Sequence, residues 1–565
     1  MCIALNARIT PMRGSYFRKV LLLVLGLLAG GMTRLQGAPT SNTPTGNPNA
    51  ACARCHRDIY ENYERTPMAN ASGAAADGFT PGDFVHQDSG IHYRVFEKDG
   101  RVFLSYDRDS QHPAKVLHGQ QELISYIGSG KRGRTYLFEQ QGYWFELPVN
   151  WYAKKALWDM APGYLDVKEM PMTLPIDYSC MRCHTSGAQQ VLADARNHYA
   201  AQPFLHGGIT CESCHGDGAK HIDSSGAGAM LDPAKLPAER RDSVCLRCHL
   251  EGKVVVTRKG KSLGDFKPGD DLFDYAVFFV RAQEQGAGGR ATSQWEALEQ
   301  SACKRASGDK LTCTTCHDPH SEPTAEERVA FYRKSCLACH TGVKYAVKHH
   351  PEQPDCASCH MPRSATNDIA HEQVTDHRIQ IPSPTPAVTS QSETLVAVHE
   401  AHPSDRDLGL AYAQLASKGD REAVMKAYPL LRKAEQAGGG VADDAQVHTE
   451  LGFLEQVMGH ADAAQQEYGA ALKANPFDAV AEGDLALILA EQRHYDEAEA
   501  LWQRAFEHDP TQIAAGRNLA QVACGMGQID LALKTLDRVL LFSPDDQRAK
   551  EMAAGMRSGA IHCLP

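Results

Sequence analysis

The chain has 565 residues, enough for two to four domains, and its 42% hydrophobic and 22% charged residues are those of a globular protein with its own cores. A formal net charge of -11 excludes the basic surface that nucleic-acid binding requires, so no nucleic acid is expected as a partner.

At the N-terminus Arg8, Arg13, Arg18 and Lys19 precede an apolar run over residues 20–28, and small residues continue as far as Gly37 and Ala38. This predicts an export signal over 1–38, cleaved near residue 38, since the run is shorter than the roughly 20 residues of a membrane span. Residues 39–50, rich in Pro and Asn, predict a flexible linker.

Residues 51–378 hold 15 of the 18 cysteines, and 14 of these fall in seven copies of one pentapeptide. In order these are Cys52-Ala-Arg-Cys55-His56, Cys180-Met-Arg-Cys183-His184, Cys211-Glu-Ser-Cys214-His215 and Cys245-Leu-Arg-Cys248-His249, then Cys313-Thr-Thr-Cys316-His317, Cys336-Leu-Ala-Cys339-His340 and Cys356-Ala-Ser-Cys359-His360. Two thiols three residues apart meet the two vinyl groups of one haem, and the adjacent imidazole ligates its iron from one face. Zinc sites would pair cysteines without placing His directly after each pair, and thioredoxin-like pairs come singly. The expectation is seven covalent c-type haems, with these 14 cysteines as attachment points and the seven histidines as proximal iron ligands. Haem attachment of this type occurs in bacteria outside the cytoplasmic membrane, which agrees with an exported chain in the periplasm or at the outer cell surface. At this density the porphyrins supply much of the buried apolar surface, so folding depends on them as small metal domains depend on their metal. Of the other cysteines, Cys303, Cys524 and Cys563 are left free or paired.

One stretch of this region, 75–179, lacks the motif. Alternation in 91–96 and 101–106 around Lys98-Asp99-Gly100 predicts a hairpin. Strands are also expected over 134–139 and 143–148, with Trp144, Trp151 and Trp158 packing an aromatic core. This small β-rich insertion is a candidate cover for one haem, with His118, Tyr126 and Lys131 as pocket residues and His118 as a candidate distal iron ligand.

Residues 379–403, with Pro382, Pro384 and Pro386, predict a linker that leaves the C-terminal part separable. Beyond it Leu451-Gly452, Ala464, Tyr468, Ala471 and Pro476 recur 34 residues later as Leu485-Ala486, Ala498, Trp502, Ala505 and Pro510, and again as Leu519-Ala520, Ala532, Leu536, Val539 and Pro544. A period of 34, with small residues where paired helices touch, marks the tetratricopeptide repeat. Repeats are expected over 445–478, 479–512 and 513–546, with a degenerate unit over 404–441, in a domain spanning 404–555. Such arrays stack into a solenoid with a concave face for a protein partner. The fold class is therefore mainly α: a haem-packed domain with a small β-rich insertion, then an α-solenoid.

Whether each haem carries electrons or binds substrate depends on its sixth position. Twelve histidines outside the motifs lie between His86 and His377, enough to close every iron. His320 comes three residues after His317, so it sits beside that proximal ligand and reaches only a neighbouring haem. The same holds for His221 after His215. His206 precedes Cys211, and His349 and His350 precede Cys356.

The segments Cys-Glu-Ser-Cys-His-Gly-x-Gly-x-x-His, Leu-Thr-Cys-x-x-Cys-His-Asp-Pro-His, Cys-x-x-Cys-His-Met-Pro and Asp376-His377-Arg378 resemble the multihaem superfamily of the tetrahaem cytochrome of ammonia oxidisers, hydroxylamine oxidoreductase and cytochrome c nitrite reductase. Haem motifs succeeded by tetratricopeptide repeats look like exported bacterial cytochromes with a cytochrome c-552/4-type domain. The resemblance implies closely packed haems, with His221, His320, His350 and His377 at positions of distal iron ligands, and also His206 and His371. The Cys-x-x-Cys-Lys site of nitrite reductases and the eighth motif of hydroxylamine oxidoreductase are missing. The expected function is electron relay between redox-partner proteins, extending to a membrane quinol-oxidising complex. The alternative is a reductase of a small nitrogen or sulfur oxyanion, such as nitrite, hydroxylamine or tetrathionate, at one five-coordinate haem.

Overall fold

A computed structural model describes residues 48–162, 164–170, 174–193, 195–283, 293–341, 354–363, 375–381, 391–437 and 443–563. The expected export signal, most of the linker after it, His349, His350, His371 and the prolines at 382, 384 and 386 lie outside them.

Two antiparallel sheets form the β-rich part. The first is a meander of β2 (Gly82–His86), β3 (Ile91–Lys98), β4 (Arg101–Arg108) and β5 (Leu117–Leu123). Asp99 and Gly100 both take positive φ, 53° and 74°, the two-residue turn whose twist matches that of the strands it joins. The second sheet runs β1 (Ser72–Ala74), β6 (Ser125–Ile127), β7 (Gly133–Gln140), β8 (Tyr143–Tyr152), β10 (Leu174–Pro175), and β9 (Leu157–Met160) also pairs with β8. Strand β8 is buried on both faces. Tyr143, Phe145, Leu147 and Val149 join the core shared with the meander, whereas Trp144 packs with Ile176, Met181, Tyr199 and Phe204 around the helix Tyr178–His184. Ten strands make this part larger than the small insertion expected. The excess lies in short strands such as β1, β6 and β10, whose two or three residues carry no alternation to read.

Strands β11 (Thr185–Ala188) and β12 (Phe204–Gly207) pair after the second motif. A third sheet, β13 (Val254–Thr257), β14 (Ala276–Gln283) and β15 (Gln391–Ala397), has β14 at its centre. One face packs Phe278 against Leu246 of the helix Ala238–His249 and against Leu250 just after it. The other packs Val256 and Phe279 against Leu410, Tyr412 and Leu431 of the first repeat. Strand β15 falls inside the expected linker.

The C-terminal part is built of helical pairs: Asp405–Ala416 with Arg421–Gln436, Ala445–Val457 with Ala461–Ala474, Ala479–Glu491 with Tyr495–His508, Ile513–Gly525 with Ile529–Phe542, and then Gln547–Ser558. Small residues sit where helices touch: a Cβ on Gly452 would come within 2.6 Å of the Tyr468 ring. Cys524 and Cys563 form a disulfide. The far end of the array rests on the β-rich part, where Phe542 enters its core beside Tyr143 and Phe145, and Arg108 pairs at 2.6 Å with Asp545. The repeats thus contact the rest of the described chain at both ends, where their proline-rich approach predicts few contacts. Among the described residues no helix is long and apolar enough to cross a membrane.

Candidate haem cavity

On one helical turn residues i, i+3 and i+4 share a face, so Cys-x-x-Cys-His turns two thiols and an imidazole the same way. The second, third, fourth and seventh motifs close the helices Tyr178–His184, Glu212–His215, Ala238–His249 and Cys356–His360. Asp177 and Asp355 start two of these by accepting from the backbone N–H of Ser179 at 2.8 Å and Ala357 at 3.1 Å. All 14 motif thiols and all seven motif imidazoles line one cavity of about 4090 Å³. That is several times the roughly 300–1,000 Å³ of a small-molecule pocket.

The motifs meet in a definite pattern. Arg182 donates to the Arg247 carbonyl and Arg247 to the Arg182 carbonyl, so the second and fourth motifs lie back to back, with Cys248 Sγ 3.4 Å from the Arg182 carbonyl. A second Arg247 nitrogen reaches the Ser213 carbonyl of the third motif at 3.3 Å. The Cys52 and Cys211 thiols are neighbours, as are Cys245 and Cys313, and Cys336 and Cys356. Cys316 lies within electrostatic reach of Cys339. The motifs thus succeed one another as first, third, fourth, fifth, sixth, seventh, with the second joined at the fourth.

Among the described residues three further imidazoles line the cavity, each opposite a motif imidazole. His221 lies 6.4 Å from His56 between ring centroids with planes 17° apart, His320 lies 6.0 Å from His215 at 15°, and His377 lies 6.2 Å from His317 at 30°. Two imidazole nitrogens each about 2 Å from one metal, with ring centroids about 1 Å further back, stand about 6 Å apart. The donor set and the spacing fit a haem iron between each pair. The chain is arranged to allow this: Gly216, at φ 72°, turns it away from the third motif, and the helix Ala219–Asp223 then carries His221. After the fifth motif the Asp318 carboxylate accepts from the His320 N–H at 2.9 Å, closing a turn.

The tautomers agree. Nδ1–H donates to a backbone carbonyl in His215 (Leu231, 2.9 Å), His221 (Gly228, 2.8 Å), His360 (Gln380, 2.8 Å) and His377 (Thr375, 2.8 Å), which leaves the Nε2 lone pair for a metal. Burial holds His249, His317 and His377 below the ordinary imidazole range, which favours the neutral, ligating form.

Two other sequence candidates lie elsewhere. His118, on β5, is 59% exposed beside Asp109, and His206 sits on β12 opposite Ser186; neither lines the cavity. Tyr126 is buried beneath the Arg134 guanidinium, and Lys131 pairs with Glu322. The insertion does not close a pocket through these residues. The reciprocal Arg182 and Arg247 contact is not foreseen from the sequence, although Cys-x-Arg-Cys in the first, second and fourth motifs is its visible trace.

Residues 163–216 match the family described as cytochrome c554 and c-prime, residues 305–345 the doubled CXXCH motif, and residues 489–555 the tetratricopeptide repeat. The multiheme cytochrome MtrA of Shewanella baltica (strain OS185) is 25% identical over 178 residues, which cover 29% of this chain and 52% of that protein. The chain thus spans about half the length of the curated relative it matches. Among solved structures, MamA is 19% identical over 26% of this chain and 82% of its own, with a TM-score of 0.23. Pseudomonas aeruginosa pilF is 23% identical over 27% of this chain and 70% of its own, with a TM-score of 0.24. The family matches and the motifs they cover make this chain a multihaem c-type cytochrome with C-terminal tetratricopeptide repeats.

Proposed function

We propose that this chain relays electrons through seven covalently attached haems, one per motif, outside the cytoplasmic membrane. The observation that carries the reading is the single cavity lined by every motif thiol and imidazole, in which each motif touches or neighbours the next. Haems fixed at adjoining thiols have adjoining edges, and close edges are what electron tunnelling needs. The route runs from the haem of Cys52 and Cys55 through those of Cys211, Cys245, Cys313 and Cys336 to that of Cys356, with the haem of Cys180 and Cys183 joining at Cys245 and Cys248. His221, His320 and His377 close the irons held by His56, His215 and His317. Each is borrowed from the segment after another motif, so that the haems of different motifs are tied together by covalent chain. Similarity to a multiheme cytochrome supports electron transfer. The Cys524–Cys563 disulfide and covalent haem both suit an oxidising compartment. Redox proteins are the partners, and the exposed face of the repeat array docks one of them.

The test is His320→Ala in the full chain. Electron paramagnetic resonance should show one more high-spin iron than the parent, with the haem content unchanged. An unaltered spectrum would contradict cross-ligation of the haem at His215.

A further inference from the structure

We infer that Arg182 and Arg247 form a cationic pair that makes the haem of the fourth motif the first of the seven to be reduced, so that electrons on the relay collect where its branches meet. This deepens the relay reading and rests on it, since it takes each motif to carry a haem.

A buried charge is costly unless an opposite charge faces it. Arg182, at 8% exposure, is the one buried cation among the described residues that line the cavity. Its guanidinium donates to the Arg247 carbonyl, and its Nε is buried with no hydrogen-bond partner. Arg247, half-buried, donates to the carbonyls of Arg182 and Ser213, each at 3.3 Å, and stands 5.8 Å from the Phe266 ring centroid. Carbonyl oxygens and a ring carry partial charges only. Among the described residues no carboxylate pairs with either guanidinium, so two positive charges meet between the second and fourth motifs without a counter-ion.

The surrounding charges single out the fourth motif. Beside the thiols themselves, the groups that act most on Cys183 and Cys248 are these two guanidiniums. The other thiol of the second motif, Cys180, feels Asp177, and Cys211 of the third feels Glu64. Asp242, the acid that acts on Cys245 of the fourth, is itself matched by Arg241 at 3.1 Å and Lys304 at 3.9 Å. The fourth haem therefore faces the least compensated positive charge.

A ferric haem takes up one electron from a redox-partner protein with no bond made or broken, and a fixed cation nearby stabilises the ferrous product. In a water-poor site with an effective dielectric constant of about 20, one unit charge changes the ratio of ferrous to ferric iron by about tenfold. The electron is the counter-charge that the pair lacks. The fourth motif touches or neighbours the second through Arg182, the third through Ser213 and the fifth through Cys313, so an electron held there is one step from three other haems.

The experiment is a potentiometric titration of the full-length, haem-loaded protein, followed by its visible and electron paramagnetic resonance spectra. In Arg182→Gln and in Arg247→Gln the most positive one-electron component should become about tenfold harder to reduce, a shift of about 59 mV. Arg247→Lys keeps the charge and should retain the parent value. Asp242→Asn removes the acid beside Cys245 and should move the same component the opposite way, which separates the fourth haem from the second. Should the glutamine variants fail to fold, Tyr178→Glu sets a carboxylate beside both guanidiniums, whose charges already reach the Tyr178 hydroxyl, and should lower that component. A first component unmoved by any loss of charge would overturn the inference, because a haem propionate or a small anion then already neutralises the pair. A shift as large in Arg247→Lys as in Arg247→Gln would overturn it too, by showing a structural role, and no response to Asp242→Asn would overturn the assignment to the fourth haem. Each of these leaves the relay reading intact, whereas a haem content below seven would sink that reading instead.

Discussion

At the scale of single residues, the motif histidines differ from the ordinary surface imidazole: they turn into a protein-walled cavity, and two of them, His215 and His360, give up a nitrogen to a backbone carbonyl. Their pairing was legible in part. Spacing predicts that His221 and His320 do not serve the motif they come after, but which motif imidazole each faces depends on how the chain folds back, and nothing in a local sequence window carries that. His118 and His206 do not line the cavity for the same reason, since nearness in sequence to a motif or to the insertion is not nearness to the cavity. Another residue signals itself only in the fold. Burial pushes the Glu146 carboxyl on β8 up to about 7 from its ordinary value of 4.5. The folded chain therefore keeps a proton that the unfolded chain has released, and stability falls as pH rises from about 4.5 through about 7. Glu146→Gln should flatten that slope and raise the thermal midpoint at pH 8, as measured by circular dichroism across the pH range. An unchanged slope would mean the carboxyl is ionised in the fold.

Among elements, the repeats were the most legible part, because a 34-residue period writes each helix pair several times and places Gly452 against Tyr468, where a larger residue will not fit. The linker before them was read from composition, and there composition misled. Residues 391–397 form β15 because their alternation meets a waiting edge of β14, and tertiary pairing outweighs a proline-rich flank. The other end of the array docks through Asp545, which accepts from Arg108 at 2.6 Å and from the Met170 N–H at 3.0 Å. Both charges are buried, with side-chain exposures of 10% for Arg108 and 0% for Asp545. Asp545→Ala strands the guanidinium and should destabilise this junction by about 3–5 kcal/mol. Chemical denaturation would measure it, and a loss below about 1 kcal/mol would show that the array rests there without depending on the pair.

For the whole molecule, the composition of the haem region and the layout of its sheets serve one arrangement. The β-rich part walls one side near Cys180, the β13–β15 sheet backs the helix that ends in His249, and the repeat array spans from one to the other. The haem region and the repeats therefore behave as one body, and a chain cut near residue 390 loses the strand that completes the third sheet. That organisation was hidden from the sequence because its contacts, such as Arg108 with Asp545, join residues more than 400 positions apart. The number and type of motifs were not hidden, and the central claim stands on them: every motif carries a haem in one continuous cavity. Intact-mass spectrometry of the mature protein, expressed with a complete haem-attachment system, tests it most directly. The expected mass is that of the polypeptide plus seven haems; a mass with six or fewer, or with thiols left free in any motif, would contradict it.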